Sequence, residues 1–170
     1  IHRLEFNDVN GGSIRLFIRH EAAGDIPPAT RTMIELVRKE ERLLGLHTNI
    51  PFERFYENAV KVRDELRSLL ENIQSRGETV YAYGASTKGN TILQFCGIDN
   101  RLIKKAADRN PDKWSSKTPA TNIEIISEEQ ARKEAPDYFL ALPWPFFDVF
   151  KKRETAFLEN GGKFILPLPQ

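Results

Sequence analysis

From Thr79 onward, short apolar runs alternate with stretches whose apolar residues recur at helical spacing. Residues 79–83, about 103–107, 123–126, 137–142 and 163–167 read as strands, and 88–96, 128–134 and 146–159 as helices. Val80-Tyr81-Ala82-Tyr83 and Tyr138-Phe139-Leu140-Ala141-Leu142 are apolar on both faces. Central strands of a parallel sheet have that pattern, because helices cover both sides. Strands that alternate with helices predict a parallel sheet with right-handed crossovers.

The first 77 residues follow other periods. Leu4, Phe6, Ile14, Leu16 and Ile18 alternate with Arg3, Glu5, Arg15 and Arg19, and Asn10-Gly11-Gly12 lies between the two runs, so residues 3–8 and 13–20 read as a hairpin. A two-stranded hairpin alone is marginal in water and needs a sheet to join. A helix is expected from about Ala29 to Leu44 with Gly45 as its stop signal, and a second from about Pro51 to Ser75 with Gly77 beyond it. In the second, Phe52, Phe55, Ala59, Val62, Leu66, Leu69 and Ile73 step by three and four, a coiled-coil-like seam. Packing of the two helices into an antiparallel hairpin is the simplest use of that seam, and a homodimer contact is a second.

Together these patterns predict an α/β chain. A Rossmann-like three-layer domain with a mostly parallel five-stranded sheet of order 3-2-1-4-5 occupies 78–170. A long helical hairpin precedes it over 27–77, and a β-hairpin over 1–26 reads as the remnant of a preceding domain. The first residue is Ile1, which suggests a piece of a longer protein.

Composition narrows the function classes. Of 170 residues, 40% are hydrophobic and 29% charged, normal for a globular protein with a core. The 25 basic and 24 acidic residues leave a net charge of +1, which gives no electrostatic reason to expect nucleic acid or an anionic membrane as partner. No apolar run approaches the roughly 20 residues that span a bilayer, and no signal peptide is visible, so the chain reads as cytoplasmic. Cys96 is the only cysteine and fits a small buried apolar residue; His2, His20 and His47 have no metal spacing. No metal site and no self-contained catalytic centre is legible.

The chemistry concentrates at Gly84-Ala85-Ser86-Thr87-Lys88-Gly89-Asn90, where a strand runs into a helix. The first turn of a helix has free N–H groups and partial positive charge, which suits an anion. Gly84 permits a tight turn, Gly89 permits close helix–strand packing, Ser86 and Asn90 offer hydrogen bonds, and Lys88 offers charge. The loop is not a dinucleotide fingerprint, since Ser86 stands where the middle glycine belongs, and not a P-loop, since Lys88 precedes Gly89. A polar helix cap with no ligand is an equal reading. Asp108 ends the next strand, 24 positions after Gly84, where an acid can bind ribose hydroxyls or simply shape the turn with Asn110-Pro111-Asp112. Pro143-Trp144-Pro145 follows the fourth strand of the sheet. In the order 3-2-1-4-5 it faces the glycine loop across the switch point, and Trp144 suits a sugar or base there, or a cap on the sheet edge.

The stretches "YGASTKGNTILQFCGI", "ADRNPDKWSSKTPATNIEI", "PDYFLALPWPF" and "GGKFILPLP" resemble the C-terminal domain of sugar-nucleotide C-methyltransferases. The opening "NGGSIRLFIRH" is similar to the end of that family's central methyltransferase domain, where such a hairpin closes a sheet. The resemblance implies an S-adenosylmethionine-dependent enzyme that methylates a carbon of a nucleoside-diphosphate-linked deoxysugar. It places the cofactor, a zinc-binding domain and the catalytic base in upstream domains that this chain does not include. It implies substrate contacts at Gly84, Ala85, Ser86, Lys88, Gly89, Asn90, Asp108, Lys113 and Trp144, with a nucleoside-diphosphate sugar and the preceding methyltransferase domain as partners. Two other readings stay open: a dinucleotide-binding oxidoreductase-like domain, and a non-catalytic module that docks domains.

Overall fold

Why the later part of the chain folds as a layered sheet is visible in where each strand residue goes in the computed structural model, which describes residues 1–9 and 12–168. Five strands, β3 (Val80–Tyr83), β4 (Lys105–Asp108), β5 (Glu124–Ser127), β6 (Tyr138–Ala141) and β7 (Lys163–Ile165), pair in parallel in the order β5-β4-β3-β6-β7. Counted from β3, this is the expected 3-2-1-4-5. Val80 and Ala82 point to one face of the sheet, where they pack with Leu93, Ile103, Ala106 and Leu140. Tyr83 points to the other, with Ala107, Phe139 and Phe150. Alternation of side chains along each strand puts an apolar layer on both sides, so helices must cover both.

Two compact units divide the chain, Ile1–Asn58 and Ala59–Gln170. In the first, β1 (Arg3–Asn7) and β2 (Ser13–Phe17) form an antiparallel hairpin with Arg3 opposite Phe17 and Asn7 opposite Ser13. Asn7 Oδ1 accepts from Val9 N–H (3.0 Å) and from the Ser13 hydroxyl (2.8 Å), which ties the strand ends. The expected Asn10-Gly11 part of the turn lies outside the described residues. Every residue of β2 is exposed, and the two strands form a sheet of their own. Helix α1 (Pro28–Leu43) starts with proline in its first turn, where no donor is lost. It buries none of its residues, and Phe52 and Phe55 at the start of α2 (Ile50–Ser75) are exposed. The expected helical-hairpin core is therefore not packed in this unit. The seam read along α2 instead divides: its last turns bury Leu66, Leu70 and Ile73 in the second unit's core, while Leu69 stays exposed. Leu70, outside the 3–4 series, is the residue that helical contact with the sheet selects. Arg67 donates to the Gly97 carbonyl (2.7 Å) and Gln74 to that of Arg101 (2.7 Å), fixing this half of the helix against the segment that leads into β4.

The helix expected over 146–159 is interrupted. A 3-10 turn at Trp144–Phe146 leads into α5 (Phe147–Arg153), and α6 (Thr155–Glu159) follows a break at Glu154. Glu154 is only 2% exposed. Its carboxylate accepts from the Tyr83 hydroxyl (2.6 Å) and from Arg132 of α4 (Glu128–Glu134), at 2.8 Å to Oε2 and 2.5 Å to Oε1. A charge in that position survives only because the pairing is bidentate and closed by a hydroxyl. Burial pushes the Glu154 carboxyl up, but the bonds from Arg132 and Tyr83 outweigh it and hold it below the ordinary range. On the same face Glu134 accepts from Lys105 and Tyr81, which lowers its pKa from 4.5 to about 2, mainly through the Lys105 bond.

A carboxyl whose folded pKa is lowered stabilises the fold fully above its ordinary pKa and ceases to do so as pH falls through the folded value. Glu154→Gln is expected to lower the unfolding free energy at pH 7 by about 2–3 kcal/mol, the low end for a broken buried pair because Arg132 is partly exposed. Glu134→Gln should remove part of the loss of stability between pH 4.5 and about 2, the window its lowered pKa defines. Urea unfolding at pH 7 checks the first, and urea unfolding across the acid window checks the second.

Candidate functional site

The carboxyl edge of the sheet is assembled around the peptide that follows β3. Gly84 turns the chain with φ of 85°, and a Cβ there would lie 2.6 Å from Pro143 Cγ. Only glycine meets both the left-handed backbone and the close approach. The Gly84 N–H donates to the Ala107 carbonyl (2.7 Å), extending the β3–β4 pairing by one residue. Ala85 is buried. Its N–H donates to Asp108 Oδ2 (2.8 Å), and its carbonyl accepts from Lys113 Nζ (2.9 Å). Ser86 then caps α3 (Thr87–Phe95): its extended backbone starts the helix and its hydroxyl accepts from Gly89 N–H at 3.0 Å. A Cβ on Gly89 would meet Leu142 Cβ at 2.7 Å, so α3 lies against the end of β6 as closely as backbone allows.

Asp108 is the hub of this edge. The residue is 8% exposed. Oδ2 accepts from Ala85 N–H and, at 3.1 Å, from Lys113 Nζ, while Oδ1 accepts from Asn110 N–H at 2.8 Å. Its backbone carbonyl accepts from the Trp114 indole at 2.8 Å. Asn110 in turn caps the 3-10 turn Pro111–Lys113 that carries the lysine.

The structure thus brings Gly84, Ala85, Ser86, Gly89, Asp108 and Lys113 into one bonded group, with Pro143 against it. Lys88 and Thr87 are exposed at the helix start, and among the described residues neither backbone N–H nor the Lys88 ammonium has an acceptor. Asn90 Oδ1 is buried and has no donor among those residues. Trp144 starts the 3-10 turn after β6 and is half-buried. Arg109, directly after Asp108, is exposed with no partner among the described residues, a second cation that the loop-by-loop reading passed over. Its signal was its position beside a strand-ending acid. Trp114 was also missed, because its role, a bond to the Asp108 carbonyl, depends on the fold.

What this edge can hold follows from its donors. Free amides and an ammonium suit an anion. An adenosyl cofactor or a dinucleotide needs an acid at the end of β4 to take ribose hydroxyls. Both oxygens of Asp108 are already engaged by three donors and its side chain is 12% exposed, so the fit for such a cofactor here is poor. No group of three or more His, Cys, Asp or Glu side chains among the described residues is placed to hold a metal ion. Burial pushes the Cys96 thiol up, away from a nucleophilic thiolate. Among the described residues no helix is long and apolar enough to cross a membrane.

The family described as "C-methyltransferase C-terminal domain" matches residues 8–169. The chain belongs to this C-methyltransferase C-terminal domain family. It is 37% identical over 164 residues to C-methyltransferase NovU of Streptomyces niveus, an alignment that covers 96% of this chain and 38% of NovU. As a C-methyltransferase C-terminal domain, the chain spans well under half the length of this relative.

Gly84→Ala and Gly89→Ala are each expected to lower stability by about 2 kcal/mol, through overpacking against Pro143 and Leu142 and, for Gly84, a left-handed backbone. Denaturant midpoints of the two variants measure this.

Proposed function

We propose that this chain is the substrate-holding domain of an S-adenosylmethionine-dependent C-methyltransferase that acts on a carbon of a nucleoside-diphosphate-linked deoxysugar. The observation that carries the reading is the start of α3. The N–H groups of Thr87 and Lys88 and the Lys88 ammonium are without acceptors among the described residues, at the edge where the loops after β3, β4 and β6 come together. A diphosphate offers the acceptors these groups lack. Gly84, Ala85, Ser86 and Gly89 shape the wall that presents them, and Trp144 offers a flat apolar surface to sugar or base.

S-adenosylmethionine would supply the methyl group from a site outside this chain, in the preceding methyltransferase domain. The contribution of these residues is to fix the sugar in place for a base and a methyl donor held elsewhere, and positioning of that kind accounts for a large share of rate enhancement. The oxidoreductase-like alternative loses support because Ser86 Oγ is held as a helix cap and Asp108 is occupied.

Calorimetric titration of the chain with thymidine diphosphate glucose tests the proposal. Binding is expected, with Lys88→Ala weakening it about 10-fold, the worth of one charge-assisted contact. Ser86→Ala should weaken it less, by fraying the first turn of α3. An absence of binding, or binding that neither substitution alters, overturns the assignment.

A further inference from the structure

Two residues expected at the ligand turn their polar atoms inward. Asp108 Oδ2 holds the Ala85 N–H at 2.8 Å, and Lys113 Nζ holds the Ala85 carbonyl at 2.9 Å while bonding Oδ2 at 3.1 Å. The two side chains and the main chain of Ala85, its N–H and its carbonyl in adjacent peptide groups, form a closed ring. Asn110 N–H on Oδ1 and the Trp114 indole on the Asp108 carbonyl fix the acid from behind. The residue so held directly precedes Ser86, the N-cap of α3, so both peptide groups that lead into the helix start are tied down.

We propose that Asp108 and Lys113 are positioning residues that lock the main chain on both sides of Ala85 and aim the start of α3 at a diphosphate without touching it. The inference rests on the diphosphate reading above and adds to it the device that makes the loop rigid. Charge supports it. A carboxylate beside a diphosphate repels it, so an Asp108 that faced the ligand would weaken binding, and its removal would tighten it. A carboxylate that faces away and holds the loop has the opposite consequence: its loss releases the peptide, and the amides must be ordered again at each binding event. The pair also acts as a unit. Once either partner is gone the ring is open, and removal of the other costs little more.

The test compares wild type, Asp108→Asn, Lys113→Met and the double variant, each titrated with inorganic pyrophosphate and with thymidine diphosphate glucose well below the unfolding temperature. The expected result is a loss of about 10-fold for each single variant with both ligands, and a double variant no weaker than about 2-fold beyond the singles. Amide hydrogen exchange at Ala85 should speed up in all three variants, a local readout that reduced global stability alone would not single out. Losses confined to the nucleotide sugar would mark Asp108 as a ribose contact and overturn the proposal. Tighter binding by Asp108→Asn, or losses that multiply in the double variant, would overturn it as well. If wild type binds and the variants match it, only the positioning role falls; if wild type binds neither ligand, the diphosphate reading falls and takes this inference with it.

Discussion

A buried carboxylate at the end of β4 ties together the loops at the carboxyl edge of the sheet. Asp108 joins the loop after β3, the turn that carries Lys113 and its own strand through four hydrogen bonds. Without it, Ala85 would have a buried N–H and no acceptor, which a folded protein avoids at a cost of about 1–3 kcal/mol. The close approach of Gly84 to Pro143 and of Gly89 to Leu142 closes the third side. The chain that leads into α3 is thus held on three sides, and under the proposed function a preorganised set of donors would bind an anion with less ordering than a flexible loop.

The other face of the sheet holds a second buried acid for a different purpose. Glu154 anchors Tyr83, the last residue of β3, through its hydroxyl, and Arg132 neutralises the pair. Tyr83 is surrounded by Phe139, Phe150 and Phe164, with ring centroids at 5.0, 5.0 and 5.7 Å. The strand that delivers Gly84 is thus fixed from behind by packing and from in front by Asp108, so both faces serve the same turn.

The strand order, the parallel pairing and the positions of the loops were legible in the sequence, because two-faced apolar runs such as 80–83 and 138–142 leave few alternatives. The break at Glu154 was not legible: nothing in local spacing distinguishes a surface glutamate from one drawn inward by Tyr83 and Arg132, which lie 71 and 22 positions away. The seam of α2 misled for a related reason. A stripe at steps of three and four shows that a helix has an apolar side but not what covers it, and here Leu66, Leu70 and Ile73 meet the sheet while Phe52 and Phe55 stay exposed. At the site, the strand pattern placed Asp108 beside the glycine loop and the resemblance named Lys113, but neither could tell inward from outward, since that depends on single hydrogen bonds. The family, by contrast, was carried by four stretches in order and is what the match over residues 8–169 shows.

The central claim is that the start of α3 holds a diphosphate. Backbone amide shifts of the isotope-labelled chain, followed as thymidine diphosphate glucose is added, test it most directly. The account predicts that the largest changes fall on Ser86, Thr87 and Lys88, with smaller ones at Arg109 and Trp144. Shifts that cluster elsewhere, with those three amides unmoved at saturation, would contradict it.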